Sequence, residues 1–258
     1  MEFTFYKYQG TGNDFILIDN RQELFPKNDT KAIADMCHRN FGIGADGLIL
    51  LEEHLEADFT MVYYNSDGRP SSMCGNGGRC IVLFAKLLGL IEEKAAFEAV
   101  DGMHYATVDG NTVSLKMQEV PNVSVEEAHC FLDTGSPHHV TMVDDVYTHA
   151  VASEGKRIRN EIYGAQGANV NFVSLKESDT FIVRTYERGV ENETLSCGTG
   201  VVAVALAMYA MGKAQSETLS IETMGGTLEV QFDASEVGFR NIYLIGPAQQ
   251  VFKGTYVL

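Results

Sequence analysis

Two of the five cysteines stand where a core thiol would not. Cys74 opens "CGNG" inside "MCGNGGRC" (73–80), and Cys197 opens "CGTG" inside "SCGTGVV" (196–202); each polar glycine turn leads into an apolar stretch that reads as helix. The first turn of a helix presents backbone N–H groups without intrahelical partners and a partial positive charge. A cysteine at that entrance has its thiolate favoured. A drop of about one to two units from the ~8.5 of a free thiol turns a mostly inert group into a usable base at neutral pH. Glycine lets a ligand come close to the backbone, so that the same N–H groups can bind its anionic end. One such turn would serve a nucleophile. Two of them serve a different chemistry: an ionised sulfur removes a proton from a carbon beside a carboxylate, and a protonated sulfur returns one to the opposite face. Helix N-termini offset the charge that builds there. The chemistry calls for no cofactor. No metal is expected either, because structural zinc wants close cysteine pairs and the Cys74–Cys80 spacing has no second pair near it. Oxidation of two facing thiols would give a Cys74–Cys197 disulfide as an off state. Cys37 and Cys80 lie on apolar helix faces and Cys130 in the strand-like "AHCFLD", so all three read as core.

The elements that must position these turns repeat. "RCIVLFAKLLG" (79–89) reads as a helix closed by Gly89, and "VVAVALAMYAMG" (201–212) as one closed by Gly212. Each cysteine precedes its closing glycine by fifteen residues. Three short strands follow each helix: "AAFEAV", "HYATV" and "TVSLKM" after the first, "LSIET", "TLEVQF" and "NIYLIG" after the second. Ahead of the first turn, "FTFYKYQG" alternates, "FILID" is apolar, and "FTMVYYNSDG" ends in a turn at Asn65 to Gly68. "TKAIADMCHRNFG" (30–42) reads as a short amphipathic helix with Ile33, Met36 and Cys37 inward. A weaker echo pairs "GTGNDFILI" (10–18) with "GANVNFVSL" (167–175). The pattern predicts an α+β fold of two similar α/β halves made by internal duplication. The expected boundary puts residues 1–118 in one half and 119–258 in the other, with the last strand free to return to the first.

Composition bounds the partners. Apolar residues are 45% and charged residues 21% of the chain, the proportions of a globular protein. A formal net charge of −16 argues against nucleic acid, whose phosphates attract basic surfaces. The longest apolar run, Val201 to Met211, has eleven residues against the ~20 needed to span a bilayer, so no membrane is expected. "MEFTFYKYQG" carries charges and no apolar export signal. An odd number of scattered cysteines argues against a disulfide framework and for the cytoplasm.

"GTGNDF", "MCGNGGRC", "GSPHHV", "YERG" and "SCGTG", in this order and over essentially the whole length, resemble the diaminopimelate epimerase family. The resemblance implies two α/β halves with the active site in the cleft between them, and a homodimer. It also implies cofactor-independent interconversion of LL- and meso-diaminopimelate in the supply of lysine and peptidoglycan precursors. Carried over by position, Cys74 and Cys197 are the acid and base. Gly75, Asn76, Gly198 and Thr199 resemble the turn residues that hold the reacting carboxylate, and Asn13, Asn65, Asn169 and Arg188 the substrate-holding set. A guanidinium suits a distal carboxylate because it can bind both oxygens at once. Glu187 would pair with the ammonium group, and His138, with His139 as its competitor, resembles the family histidine beside the reacting centre. The sequence departs from the family pattern at three places. Gly47 stands where some members carry a substrate-contacting glutamine, Ser136 where many carry asparagine, and the stretch from Arg188 to Cys197 is one residue longer than usual. These bear on recognition of the distal amino acid group, and Ser136 can still bond there with shorter reach.

Rival readings are a proline or hydroxyproline racemase on the same two-thiol scaffold, a relative in which a carboxylate replaces the thiols, and a thiol-containing binding or redox module without catalysis. Asn76 and Arg188 speak against the first, and retention of both cysteines against the second.

Overall fold

The computed structural model describes residues 1–258 and divides into two compact units, Met1–Leu115 with Gly246–Leu258, and Lys116–Ile245. The first unit runs β1 (Glu2–Gly10), β2 (Asn13–Asp19), α1 (Thr30–Cys37), β3 (Gly47–Glu52), β4 (Phe59–Asn65), α2 (Gly75–Leu87), β5 (Lys94–Ala99), β6 (Gly102–Asp109) and β7 (Thr112–Lys116). The second runs β8 (Val123–Val125), β9 (Cys130–Asp133), β10 (Pro137–Met142), α3 (Val151–Glu161), β11 (Asn169–Glu177), β12 (Thr180–Glu187), β13 (Asn192–Thr194), α4 (Gly198–Ala210), β14 (Thr218–Thr223), β15 (Gly226–Ser235) and β16 (Gly238–Pro247). The chain ends in β17 (Gln249–Val257), which lies antiparallel to β1.

One pairing plan serves both units. In the first, β1–β2 is antiparallel, β2–β3 parallel across α1, β3–β4 antiparallel, and β4–β5 parallel across α2. In the second, β9–β10 is antiparallel, β10–β11 parallel across α3, β11–β12 antiparallel, and β12–β14 parallel across α4. Parallel neighbours need a crossover, and a helix supplies it each time. This plan corrects the sequence echo. The counterpart of β2 is β10, not the β11 strand of "GANVNFVSL", because topology is set by which strands pair and not by local resemblance. The plan also places β8 and β17 alike, since β8 lies antiparallel to β9 as β17 lies to β1.

The two long helices are buried within their units, and α1 and α3 each cover a further core. α2 lies against β1, β2, β3 and β6, while α4 lies against β9, β10, β11, β14 and β15. Every residue from Val201 to Met208 is at most 1% exposed, and that burial is the reason α4 is apolar all round. Cys37, Cys80 and Cys130 are buried in cores, where burial pushes the Cys37 thiol up to about 12 and the Cys130 thiol to about 11. α1 presents Ile33, Met36 and Cys37 inward. Both long helices start earlier than their apolar stretches, at Gly75 rather than Arg79 and at Gly198 rather than Val201. They close as the glycines predict: Gly89 (φ +72°) and Gly212 (φ +67°) take the left-handed conformation that ends a helix at low steric cost.

Candidate active site

In the first unit Cys74 is the N-cap of α2, with extended backbone (φ −121°, ψ 123°) and no side-chain capping bond. The helical ladder opens with the Gly78 N–H donating to the Cys74 carbonyl at 2.7 Å, so the N–H groups of Gly75, Asn76 and Gly77 precede it. Asn13 reaches this turn from the start of β2. Its Nδ2 donates to Asp46 Oδ2 at 2.6 Å, which turns its Oδ1 toward α2. There Oδ1 accepts from Asn76 Nδ2 at 3.3 Å and lies 3.6 Å from Cys74 Sγ. An amide oxygen only accepts, so the Cys74 thiol donates to it. Arg39 grips Asp46 and Asp14 and anchors the far end of this chain of bonds. Asn65 ends β4 opposite Gly47, which in turn lies opposite Phe15 of β2, at the same end of the sheet as Asn13. A Cβ on Gly47 would lie 2.5 Å from the Tyr63 ring and 3.1 Å from its hydroxyl, so Tyr63 fills the space of a side chain there.

In the second unit Cys197 is the N-cap of α4 (φ −114°, ψ 111°), again without a side-chain capping bond. The Val201 N–H donates to the Cys197 carbonyl at 2.9 Å, and Gly198, Thr199 and Gly200 form the free-standing first turn. Gly200 must lack a side chain: a Cβ would sit 2.6 Å from Asn171 Oδ1 and 3.2 Å from Cys197 Cβ. His138 is wholly buried beneath the turn. Burial, reinforced by the nearby Arg188 charge, holds its pKa down to about 3, so the ring is neutral. Its tautomer follows from its partners. Asn171 Nδ2 donates to the His139 carbonyl at 2.9 Å while its Oδ1 accepts from Thr185, so the amide orientation is fixed. The second amide hydrogen points to His138 Nδ1 at 3.1 Å, closer than the Asn169 amide nitrogen lies to Nε2 at 3.4 Å, and this shorter bond makes Nδ1 the acceptor. Nε2 then carries the proton and donates to Thr199 Oγ1 at 3.0 Å. The Thr199 hydroxyl hydrogen is left for Cys197 Sγ at 3.5 Å. This sulfur faces a donor.

Asn169 begins β11, opposite His138, and its Oδ1 accepts from the Arg188 N–H at 2.9 Å. Glu187 ends β12 and accepts from the Thr194 hydroxyl. The Arg188 guanidinium is exposed and donates to the Gln166 carbonyl at 3.0 Å. Between Arg188 and Cys197 the chain forms a hairpin in which β13 folds back on β12. Ser136 lies in the β9–β10 turn, its carbonyl accepting from the Thr134 N–H at 3.1 Å, and Thr134 in turn donates to the Thr199 carbonyl at 2.9 Å. His139 points away from this network: its Nδ1 meets the Tyr163 hydroxyl at 2.9 Å and its ring stacks on His129 at 4.4 Å.

The diaminopimelate epimerase model matches residues 5–121 and 130–251, one segment over each duplicated half. The chain belongs to the diaminopimelate epimerase family. It is 54% identical over 252 residues to the diaminopimelate epimerase of Flavobacterium psychrophilum, covering 97% of this chain and 98% of that one. It is 44% identical over 260 residues to that of Chlorobaculum tepidum, covering 96% and 99%. Among solved structures, the fold matches a PhzF-family phenazine biosynthesis protein of Bacillus anthracis at TM-score 0.77 and 14% identity, over 100% of both chains. It also matches a probable proline racemase from Agrobacterium radiobacter at 0.69 and 15%, over 99% and 93%. Diaminopimelate epimerases are isomerases. The residues that tie the network of this family member together and that the motifs did not single out are Asp46, Arg79 and Asn171. Asn171 had a signal, standing two residues past Asn169 on the same strand face. Arg79 had one as well, a charged residue directly ahead of the apolar run Cys80 to Ala85.

Proposed function

We propose that this chain interconverts LL- and meso-diaminopimelate by proton transfer at the α-carbon between two thiols, without a cofactor. One sulfur removes the α-hydrogen as thiolate while the other, protonated, delivers a hydrogen to the opposite face. The observation that supports this most is the repetition of one arrangement: a half-exposed cysteine as N-cap, followed by three N–H groups ahead of the helical ladder. Those N–H groups, at Gly75 and Asn76 and at Gly198 and Thr199, hold the carboxylate on which negative charge builds. Arg188 takes the distal carboxylate, Glu187 the ammonium group, and Asn13, Asn65, Asn169, Ser136 and His138 position the substrate. His138 acts as a neutral donor through Thr199 and not as a base, since its Nδ1 is occupied. The same reading carries a homodimer in the cytoplasm, and five unbridged cysteines fit a reducing compartment. No helix is long and apolar enough to cross a membrane.

The test is turnover in D2O with LL-diaminopimelate and a panel of amino acids including proline and hydroxyproline, read by NMR. Deuterium is expected at the α-carbon of diaminopimelate alone. Label only in proline or hydroxyproline would transfer the activity to that substrate, and no label in any amino acid would leave a binding module.

A further inference from the structure

Arg79 is 0% exposed and is the largest fully buried side chain in the chain. Its hydrogen bonds go to neutral acceptors: the Gly75 carbonyl at 3.3 Å, the Thr11 hydroxyl at 3.3 Å and Asn76 Oδ1 at 3.0 Å. Its Nε has no partner. A guanidinium buried without a counter-ion is costly, so an anion is expected within reach of it. Burial pulls its pKa down to about 10, which leaves it charged at neutral pH.

The ionisable groups on the surrounding elements do not supply that anion. On β1 and β2, Lys7 and Asp14 pair with each other, Asp14 also holds Arg39, and Asp19 holds Arg21. On β3, Glu52 holds Lys27, and on β6 His104 bonds Asp101. Burial raises the pKa of Tyr8 to about 12 and also drives up that of Cys80, keeping both protonated. The charges that act on the Arg79 guanidinium are those of Cys80 and Cys74, and with Cys80 protonated the anion is Cys74, the half-exposed sulfur at the head of the helix in which Arg79 sits. That sulfur needs help to ionise. The Asn13 oxygen facing it accepts from the thiol and opposes the thiolate, and Asp46 stands behind Asn13. Arg79 reaches this chain of bonds through Asn76, which donates to Asn13. Gly10 makes the room, since a Cβ there would lie 3.2 Å from Arg79 Nη2 and 3.3 Å from the Asn76 carbonyl. The matching place in the second unit, five residues past Cys197, holds Val202.

We propose that Arg79 is a positioning residue whose buried guanidinium is the counter-charge of the Cys74 thiolate, so that this sulfur can act as a base despite the acceptor that faces it. The inference rests on the two-thiol reading above, but its test needs no substrate. The full chain is alkylated with iodoacetamide across a pH series, and labelling of Cys74 and Cys197 is followed separately by peptide mass spectrometry. In the unaltered protein the Cys74 midpoint falls below the ~8.5 of a free thiol. Arg79→Met raises that midpoint by about one unit or more, slowing Cys74 labelling at neutral pH about tenfold, and leaves Cys197 within about twofold. Arg79→Lys, which keeps the charge, recovers most of the rate. In turnover, Arg79→Met moves the acid limb of the pH profile upward and lowers kcat/KM equally in both directions, because their ratio is fixed by the substrates. An unchanged Cys74 midpoint in folded Arg79→Met overturns the proposal, as does an equal shift at Cys197. If Arg79→Met does not fold, a Cys74 midpoint at or above that of a free thiol in the unaltered chain, or its loss in Arg79→Lys, overturns it too. Low-midpoint labelling together with no deuterium exchange would defeat the epimerase reading alone.

Discussion

Cys74 Sγ lies 3.6 Å from an oxygen that can only accept, whereas Cys197 Sγ lies 3.5 Å from a hydroxyl whose hydrogen is free to point at it. The backbones around the two sulfurs are nearly the same: N-cap cysteine, extended φ and ψ, ladder opening four residues on. Only the side chains differ. The first turn is framed by an Asp46–Asn13–Asn76–Arg79 chain with a carboxylate at one end and a buried cation at the other. The second is framed by Asn171, His138 and Thr199, all neutral. Duplication thus kept the backbone of the helix entrance and left the surroundings of each thiol to side chains that change independently. A pair of groups that must be acid and base in turn can be set apart in this way without altering either helix.

The comparison breaks first at the sulfurs themselves. Cys74→Ala and Cys197→Ala should each lower racemisation by about a thousandfold or more, the range of a lost general acid or base. Both should keep the far-UV circular dichroism of the parent, since both positions are half-exposed. Undiminished racemisation in either variant would show that the two turns are not partners. A smaller effect tests the donor at Cys197. Thr199→Val removes a hydrogen bond to a charged sulfur and should cost about tenfold in kcat, with slower alkylation of Cys197 and unchanged alkylation of Cys74. Thr199→Ser should restore both. Equal loss in Ser and Val would mean that Thr199 acts by packing.

The smallest effect is on stability and belongs to the second unit. Burial holds the pKa of His138 to about 3 and, with His129 beside it, that of His139 to about 4, both below the 6.5 of the unfolded chain. Between these values the unfolded state binds more protons than the folded one, so stability is complete above pH 6.5 and declines as pH falls. Each histidine adds a slope of about 1.4 kcal/mol per pH unit. Urea midpoints at pH 7, 6 and 5 should therefore fall, and His139→Gln should roughly halve the slope. A flat series would show that neither ring is as sheltered as its burial indicates.

The frame of the candidate site was legible in the sequence. A cysteine on a glycine turn ahead of an apolar run has few structural uses, and its place at the N-cap follows from backbone chemistry alone. The start of each helix was not legible, because glycine's poor helix propensity hides residues 75–78 and 198–200 inside an element that close packing enforces. His138 and His139 are adjacent and chemically identical in sequence. Strand alternation on β10 sends one to Thr199 and the other to Tyr163, and which face is which depends on the neighbours.

The linear order of residues determined the duplication, the two turns, the three-strand runs behind each helix and the identity of the chemistry-bearing groups. All of these are local: they depend on spacing, propensity and the proton chemistry of single side chains. Tertiary structure decided which strands pair, so that β2 answers to β10 and β17 to β8. It also decided that Arg79 turns inward without a carboxylate while Val202 fills the matching place, and that one sulfur meets an acceptor and the other a donor. Those outcomes turn on partners far apart in the chain, chosen by burial and by the need of each buried polar group for a bond, and no local pattern encodes that choice.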